Sequence, residues 1–324
     1  MNTAEIVAAI PRRSALVVGD ICLDRWCTYD PSAAEPSRET GIPRIGVVHT
    51  KVTAGAGGTV ANNLAALGCG HVAVLGAIGV DGFGEELSRA LQARGISAEL
   101  CVRAPSIQTF TYTKLINRET GVEDQPRLDF INTTALPQDI EKEILCRIPA
   151  AVDAFDAIVV SDQAETSQGG VITPAVRNLL AVLAPAHPEK IFLADSRARI
   201  QHFRKLIVKP NQQEAEEASQ ALFGRIDYAA LRRHVDARLL MVTHGGEGVL
   251  LVEEGGDQWV RTKPVAHPVD ICGAGDSFLA GAAMALAAGA TPAEAAGFGN
   301  RIASITIMKK GTGTASPEEV LAAD

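Results

Sequence analysis

The chain has 324 residues, 47% of them hydrophobic, 21% charged and only 4% aromatic, with a formal net charge of −8. That is enough apolar material for a sizeable core, and the acidic balance without any basic run argues against a nucleic-acid partner. The six cysteines (22, 27, 69, 101, 146, 272) lack C-x-x-C spacing and read as thiols in a reducing compartment rather than a zinc site or disulfide frame.

The opening "MNTAEIVAAIPRRS" has no charged leader ahead of a long apolar core, and "FLAGAAMALAAGA" is too short to span a bilayer. The expectation is a cytoplasmic protein with no membrane partner. In chain order, "ALVVGD" (15–20) reads as a buried strand, 30–43 as a polar Pro-containing stretch, and 43–48 as a further strand. "TVANNLAALG" (59–68) has helical spacing and stops on Gly68; "VAVLGAIG" (72–79) reads as a strand; "FGEELSRALQARG" (83–95) is an amphipathic helix. "TFTYTKLI" (109–116) and "PRLDFI" (126–131), joined through "NRETG", alternate as half-exposed antiparallel strands.

The second half repeats strand and helix: strands at 157–162, 191–196, 206–211 and 239–246, helices at 174–184 and 212–222, a hairpin in "GVLLVEEGGDQWVRT", then helices at 276–288 and 292–308. Continuous apolar strands alternating with helices predict an α/β fold with a mostly parallel central sheet covered on both faces. The half-exposed segments 43–52 and 109–131 do not fit that layer and predict a small β lid on one domain spanning 1–324.

"VDICGAGDSFLAG" (269–281) sets Asp276 directly behind Gly-Ala-Gly, where helical periodicity begins. The backbone N–H groups of Gly273, Ala274, Gly275 and Asp276 then lie at a helix N-terminus, which attracts anions. On local grounds Asp276 is either a cap or a catalyst.

Together, "GAGGTVANNLAALG" (55–68) and "DICGAGDSFLAG" (270–281) resemble the two signatures of the ribokinase-like (PfkB) carbohydrate kinases, and the resemblance covers nearly the full chain. It implies a three-layer ribokinase-like sandwich, ATP as co-substrate with Mg²⁺, and in-line phosphoryl transfer to a sugar hydroxyl. Asp276 would be the base and the Gly273–Asp276 backbone the anion hole, which suits a reaction that needs donors aimed at developing charge.

On the sugar side the resemblance implies that Asp24, in "GDICLDRW", accepts hydroxyl hydrogen bonds, with Asp20 a turn former. Gly57 and Gly58 would let backbone pass close to the sugar, and Asn62 would offer donor and acceptor. Asp162 ends an apolar strand, where ligands of open α/β sheets gather, and is a further sugar contact. On the nucleotide side, "KPNQQEAE" (209–216) resembles a P-N-x-x-E motif. It would use Asn211 and Glu214 to organise phosphates and water-coordinated Mg²⁺, although Asn and Glu at this spacing also make a capping box. Thr243 and Gly245 in "VTHGGEG" would touch phosphate or ribose, and Asn300 would lie near adenine or simply occupy a polar helix position. Asp270 and the tail "KKGTGTASP" (309–317) match segments that hold a monovalent cation such as K⁺ in the family; Cys272 stands where many relatives have Thr.

Within the family, "VVGDICLDRW", "TYTKLI", "QPRLDF" and "ADSRARIQHFRKLIVKPNQQE" look closest to bacterial heptose-7-phosphate kinases. A phosphorylated acceptor needs cations, and Lys114, Arg127 and Arg197 are the candidates. The likeness breaks at "SDQAET", at "DSRA" and at Ile131, where such relatives carry Lys-Gly after "SDY", "DPKG" and Glu. The alternatives are a kinase for an unphosphorylated hexose or a nucleoside, and a catalytically silent sugar- or nucleotide-binding regulator on the same fold. Exposed lid strands suggest a homodimer.

Overall fold

The computed structural model describes residues 1–164 and 168–323. The first half runs α1 (Thr3–Ala9), β1 (Ser14–Gly19), β2 (Ile21–Asp30), β3 (Gly46–Ala56), α2 (Gly57–Ala66), β4 (His71–Leu75), β5 (Ala77–Gly79), α3 (Gly82–Gln92), β6 (Val102–Ala104), β7 (Thr111–Asn117) and β8 (Leu128–Phe130). Then come α4 (Gln138–Ala154), β9 (Ala157–Asp162), α5 (Pro174–Ala186), β10 (Ile191–Ser196), β11 (Ile207–Val208), α6 (Gln212–Phe223) and α7 (Tyr228–His234). The chain closes with β12 (Leu240–Thr243), β13 (Gly248–Glu253), β14 (Gly256–Arg261), α8 (Ala274–Ala287), α9 (Pro292–Thr306) and α10 (Pro317–Ala322).

The central sheet has the order β14-β13-β12-β11-β10-β9-β1-β4. It is parallel from β12 to β4 and ends in the antiparallel β12–β13–β14 edge. Successive residues of its strands enter opposite cores. Val17, Val159 and Leu193 pack with α2, α8 and α9, while Leu16, Val18, Ile158 and Val160 pack with α4, α5, α6 and α7. A sheet buried on both faces needs apolar residues at every position, which is why these strands read as unbroken hydrophobic runs. Among the described residues no helix is long and apolar enough to cross a membrane.

A second sheet has the order β3-β2-β7-β8, with β2 antiparallel to β3 and parallel to β7, and β7 antiparallel to β8. The expected lid segments lie in it, but its central strand β2 does not stand out in sequence, because "ICLDRWCTYD" alternates poorly. The chain leaves the central sheet for the second sheet across one residue, Asp20. Gly19 makes this possible: at φ 147° its added Cβ would lie 2.0 Å from the Ser161 carbonyl oxygen. The expected strand 72–79 is two strands, broken at Gly76, whose added Cβ would lie 2.5 Å from the Gly19 carbonyl oxygen. The strand expected at 206–211 pairs only at Ile207–Val208 before the chain turns into α6.

Candidate active site

Helix α8 is capped by the backbone, not by Asp276. Gly273 takes the N-cap position in the left-handed region (φ 79°) with no side-chain cap bond, and Asp276 sits in the first turn. The Ser277 N–H donates to the Gly273 carbonyl at 2.9 Å and the Ala274 N–H to the Ile271 carbonyl at 3.2 Å. Ala274 is therefore not a free donor as the sequence suggested. The N–H groups of Gly273, Gly275 and Asp276 meet no acceptor among the described residues, so an anion at this helix end would find three donors and the positive end of the helix dipole. The Asp276 carboxyl is pushed up to about 7, first by burial and then by the charge of Asp195, with Lys209 and Arg197 opposing. Such a carboxylate can accept a proton near neutral pH.

Beside it lies a cavity of about 160 Å³ whose lining includes Asp24, Lys114, Arg127, Arg197, Gly273 and Asp276. Residues far apart in sequence meet here because β2 and β7 pair in register, with Asp24 opposite Tyr112 and Trp26 opposite Lys114, while Arg197 follows the end of β10. Burial raises the Asp24 carboxyl to about 6, against the Cys22 thiol, Lys114, Arg127 and Arg197, which hold it down. The carboxylate packs on Gly55, where an added Cβ would lie 2.4 Å from Asp24 Cγ. The cations carry partners: Lys114 Nζ is 3.4 Å from Glu123, and Arg127 makes two bonds to Asp129 (2.7 and 2.6 Å) while lying over the Tyr112 ring.

Several residues expected to contact the sugar do not line this cavity. Gly57 and Gly58 are buried, and added Cβ atoms would meet Ile21 Cδ1 at 2.8 Å and Ala54 Cβ at 2.6 Å. They seat α2 on β2 and β3, and the cavity wall is the neighbouring Ala56. Asn62 is buried with its amide donating to the Ala54 carbonyl (3.0 Å) and Thr53 Oγ1 (3.2 Å), which tethers helix to strand. Asp162 is buried under Arg199 and accepts from Ser196 Oγ at 2.7 Å, so it braces strand ends and does not line this cavity. Asp20 does act in the turn. Its carboxylate accepts the N–H groups of Gln163, Ala164 and Val171 at 2.7–2.9 Å, and burial, followed by the charge of Asp162, raises it to about 6.

At the strand ends behind Gly275, Asn211 and Glu214 form a full capping box on α6: Asn211 Oδ1 accepts the Glu214 N–H (2.9 Å) and Glu214 accepts the Asn211 N–H (2.7 Å). Burial and the charge of Asp195 nevertheless raise the Glu214 carboxyl. Asp195 and Lys209, absent from the sequence reading, form a buried pair at 3.4 Å. Their signal was available, because both stand at the carboxyl ends of parallel strands. Oxygen donors beside a buried ammonium fit hydrated Mg²⁺ on phosphates. Thr243 ends β12 and bridges to Asn211, and Gly245 opens the following turn at φ 54°. Asn300, expected near adenine, donates to the Val260 carbonyl at 3.3 Å and ties α9 to β14. Asp270 accepts the N–H groups of Cys272 (2.9 Å) and Gly311 (3.0 Å), joining the two segments expected around a monovalent cation.

A family model described as pfkB family carbohydrate kinase matches residues 13–319. The bifunctional protein HldE of Geobacter sulfurreducens is 32% identical over 330 residues, covering 99% of this chain and 64% of that protein. HldE of Bradyrhizobium sp. is 30% identical over 330 residues, with 98% and 64% covered. The chain thus spans a little under two-thirds of the length of these curated relatives. Among solved structures, phosphofructokinase-2 from Escherichia coli in complex with potassium superposes with a TM-score of 0.71 at 19% identity, covering 96% of this chain and 97% of that one. Arabidopsis thaliana ribokinase complexed with ribose and ATP gives a TM-score of 0.69 at 18% identity, covering 96% and 98%. These two likenesses establish the ribokinase-like fold, and with the family match they lead to one conclusion: the chain belongs to the PfkB family and is a carbohydrate kinase.

Proposed function

We propose that the enzyme transfers the γ-phosphoryl group of ATP to a hydroxyl of an already phosphorylated sugar, with a heptose 7-phosphate the leading acceptor. The carrying observation is that Asp24, Asp276 and three sequence-distant cations line one cavity. Asp24 accepts hydrogen bonds from the sugar hydroxyls. Lys114, Arg127 and Arg197 hold the phosphate the acceptor already carries. Asp276 takes the proton of the attacking hydroxyl as its oxygen bonds to the γ-phosphorus and the bond to the bridging oxygen of ADP breaks. The N–H groups of Gly273, Gly275 and Asp276 face the charge that develops.

Lys209 adds a buried positive charge beside Gly275, and Asn211, Thr243 and Gly245 border the nucleotide. Asp195 and Glu214 would hold Mg²⁺ through water; the ion neutralises phosphate charge when bound. Asp270 braces the segments whose carbonyls would hold a monovalent cation. The whole chain works as one catalytic domain, and the exposed Ile45, Val47 and Val48 on the outer lid strand and its approach support dimerisation through the lid.

One observation favours an unphosphorylated acceptor: Glu123 and Asp129 already pair with Lys114 and Arg127. An ATP-consumption screen against sugars and sugar phosphates separates the two readings. Consumption confined to phosphorylated acceptors supports the proposal, and consumption confined to free sugars overturns it.

A further inference from the structure

A second, smaller chamber of about 20 Å³ adjoins the acceptor cavity. The two share Ala56, Tyr112 and Gln163 as walls, so these residues form the neck between them. Beyond the neck, the chamber is walled by Cys22, Phe110, Ile131 and Ala164. None of the three cations of the main cavity reaches it. Its polar walls are already engaged. The Asp20 carboxylate accepts three backbone N–H groups. Asn132 exchanges hydrogen bonds with the Gln108 backbone, donating at 2.8 Å and accepting at 3.1 Å. The Gln163 side-chain amide is different: it has no partner among the described residues, while its own N–H is fixed to Asp20 at 2.9 Å. A polar group held by its backbone at the neck of an apolar pocket is placed to read a ligand hydroxyl.

We infer that Gln163 and the Phe110–Ile131 chamber determine acceptor stereochemistry, taking one uncharged substituent of the sugar while its phosphate stays with the cations. This rests on the reading of the larger cavity as the acceptor site. The chamber has room for about one water-sized group, so it admits a hydroxyl and excludes a phosphate or carboxylate. A sugar that directs a hydroxyl through the neck gains the Gln163 amide. Its epimer at that carbon leaves the amide without a partner and drives the hydroxyl into another wall. Sites that hydrogen-bond a particular hydroxyl discriminate more strongly than apolar fit alone.

The test compares kcat/KM for mannose, glucose and galactose as 6-phosphates and as free sugars, a set that varies carbons 2 and 4. It does so in the parent enzyme, Gln163→Leu and Ile131→Phe. The parent should favour one epimer of a pair by at least ~10-fold. Each substitution should shrink that ratio at least ~5-fold, Gln163→Leu by removing the amide and Ile131→Phe by filling the chamber, with the KM for ATP and Tm unchanged. Ratios that survive both substitutions, or equal use of every epimer by the parent, would overturn the inference. Asp24→Ala separates this failure from failure of the acceptor-site reading. If it raises the sugar KM while the epimer ratios ignore Gln163 and Ile131, the chamber alone is wrong. If it leaves the sugar KM unmoved, the cavity is not the acceptor site.

Discussion

Lys209 Nζ lies 3.4 Å from Asp195 Oδ1, both groups buried at the ends of adjacent parallel strands, and Lys209 stands 3.8 Å from where a Cβ on Gly275 would lie. The pair acts on Asp276 with opposite signs: Asp195 raises its carboxyl and Lys209 lowers it. Asp195→Asn should therefore move the acid limb of the rate profile to lower pH, and Lys209→Met should move it higher. Lys209→Met also strands a buried carboxylate, at about 3–5 kcal/mol, so its Tm should fall. Limbs that shift in the same direction in the two variants would contradict this coupling.

In the unaltered enzyme the base form of Asp276 exists above its raised value of about 7. Activity at subsaturating sugar should climb as pH rises through that value and then level, losing roughly tenfold per unit below it. A profile flat between pH 5 and 8 would remove Asp276 as the titrating base.

Asp276→Asn keeps size and hydrogen-bonding shape but removes the base. Turnover should fall at least ~10²-fold, with nucleotide affinity by titration calorimetry little changed. Near-parental turnover would assign the proton to another group.

Asp24→Ala should raise the KM for sugar by ~10-fold or more and leave the KM for ATP within about twofold, because hydrogen bonds to a charged group are worth ~1.5–3 kcal/mol. Equal movement of both constants would make Asp24 structural. Gly55→Ala should act in the same way as Asp24→Ala, since its Cβ would lie 2.4 Å from Asp24 Cγ and force the carboxylate off its seat. A Gly55→Ala enzyme with an unchanged sugar KM would show that the carboxylate has room to shift.

The central sheet was readable in sequence because strands buried on both faces carry unbroken apolar runs, as in "ALVVGD" and "AIVVSD". Strand β2 was not: Ile21, Cys22 and Leu23 run together before Asp24 and Arg25, so its apolar residues follow neither a strict alternation nor an unbroken run. Helix α4 also went unread, with Pro149 interrupting its pattern. At the candidate site, Asp24, Asp276 and the three cations, named from strand ends and motifs, line one cavity. Gly57, Gly58, Asn62 and Asp162 came from the same signatures and strand ends, and the structure holds them in packing and hydrogen bonds within the protein. Gly55 was missed because its importance lies in its packing against Asp24, which only the pairing of β2 with β3 reveals; Asp195 and Lys209 carried a strand-end signal, and the pairing of β10 with β11 adds that they meet as an ion pair.

The most direct test is the ratio of kcat/KM for phosphorylated over free forms of the same sugars, measured in the parent and in Lys114→Ala, Arg127→Ala and Arg197→Ala. Two good charge-assisted contacts predict a preference of ~10²-fold or more for the phosphorylated form, narrowed by at least one of the three substitutions. A parent enzyme that prefers free sugars would contradict the account, and a phosphosugar preference untouched by all three would show that other residues hold the phosphate.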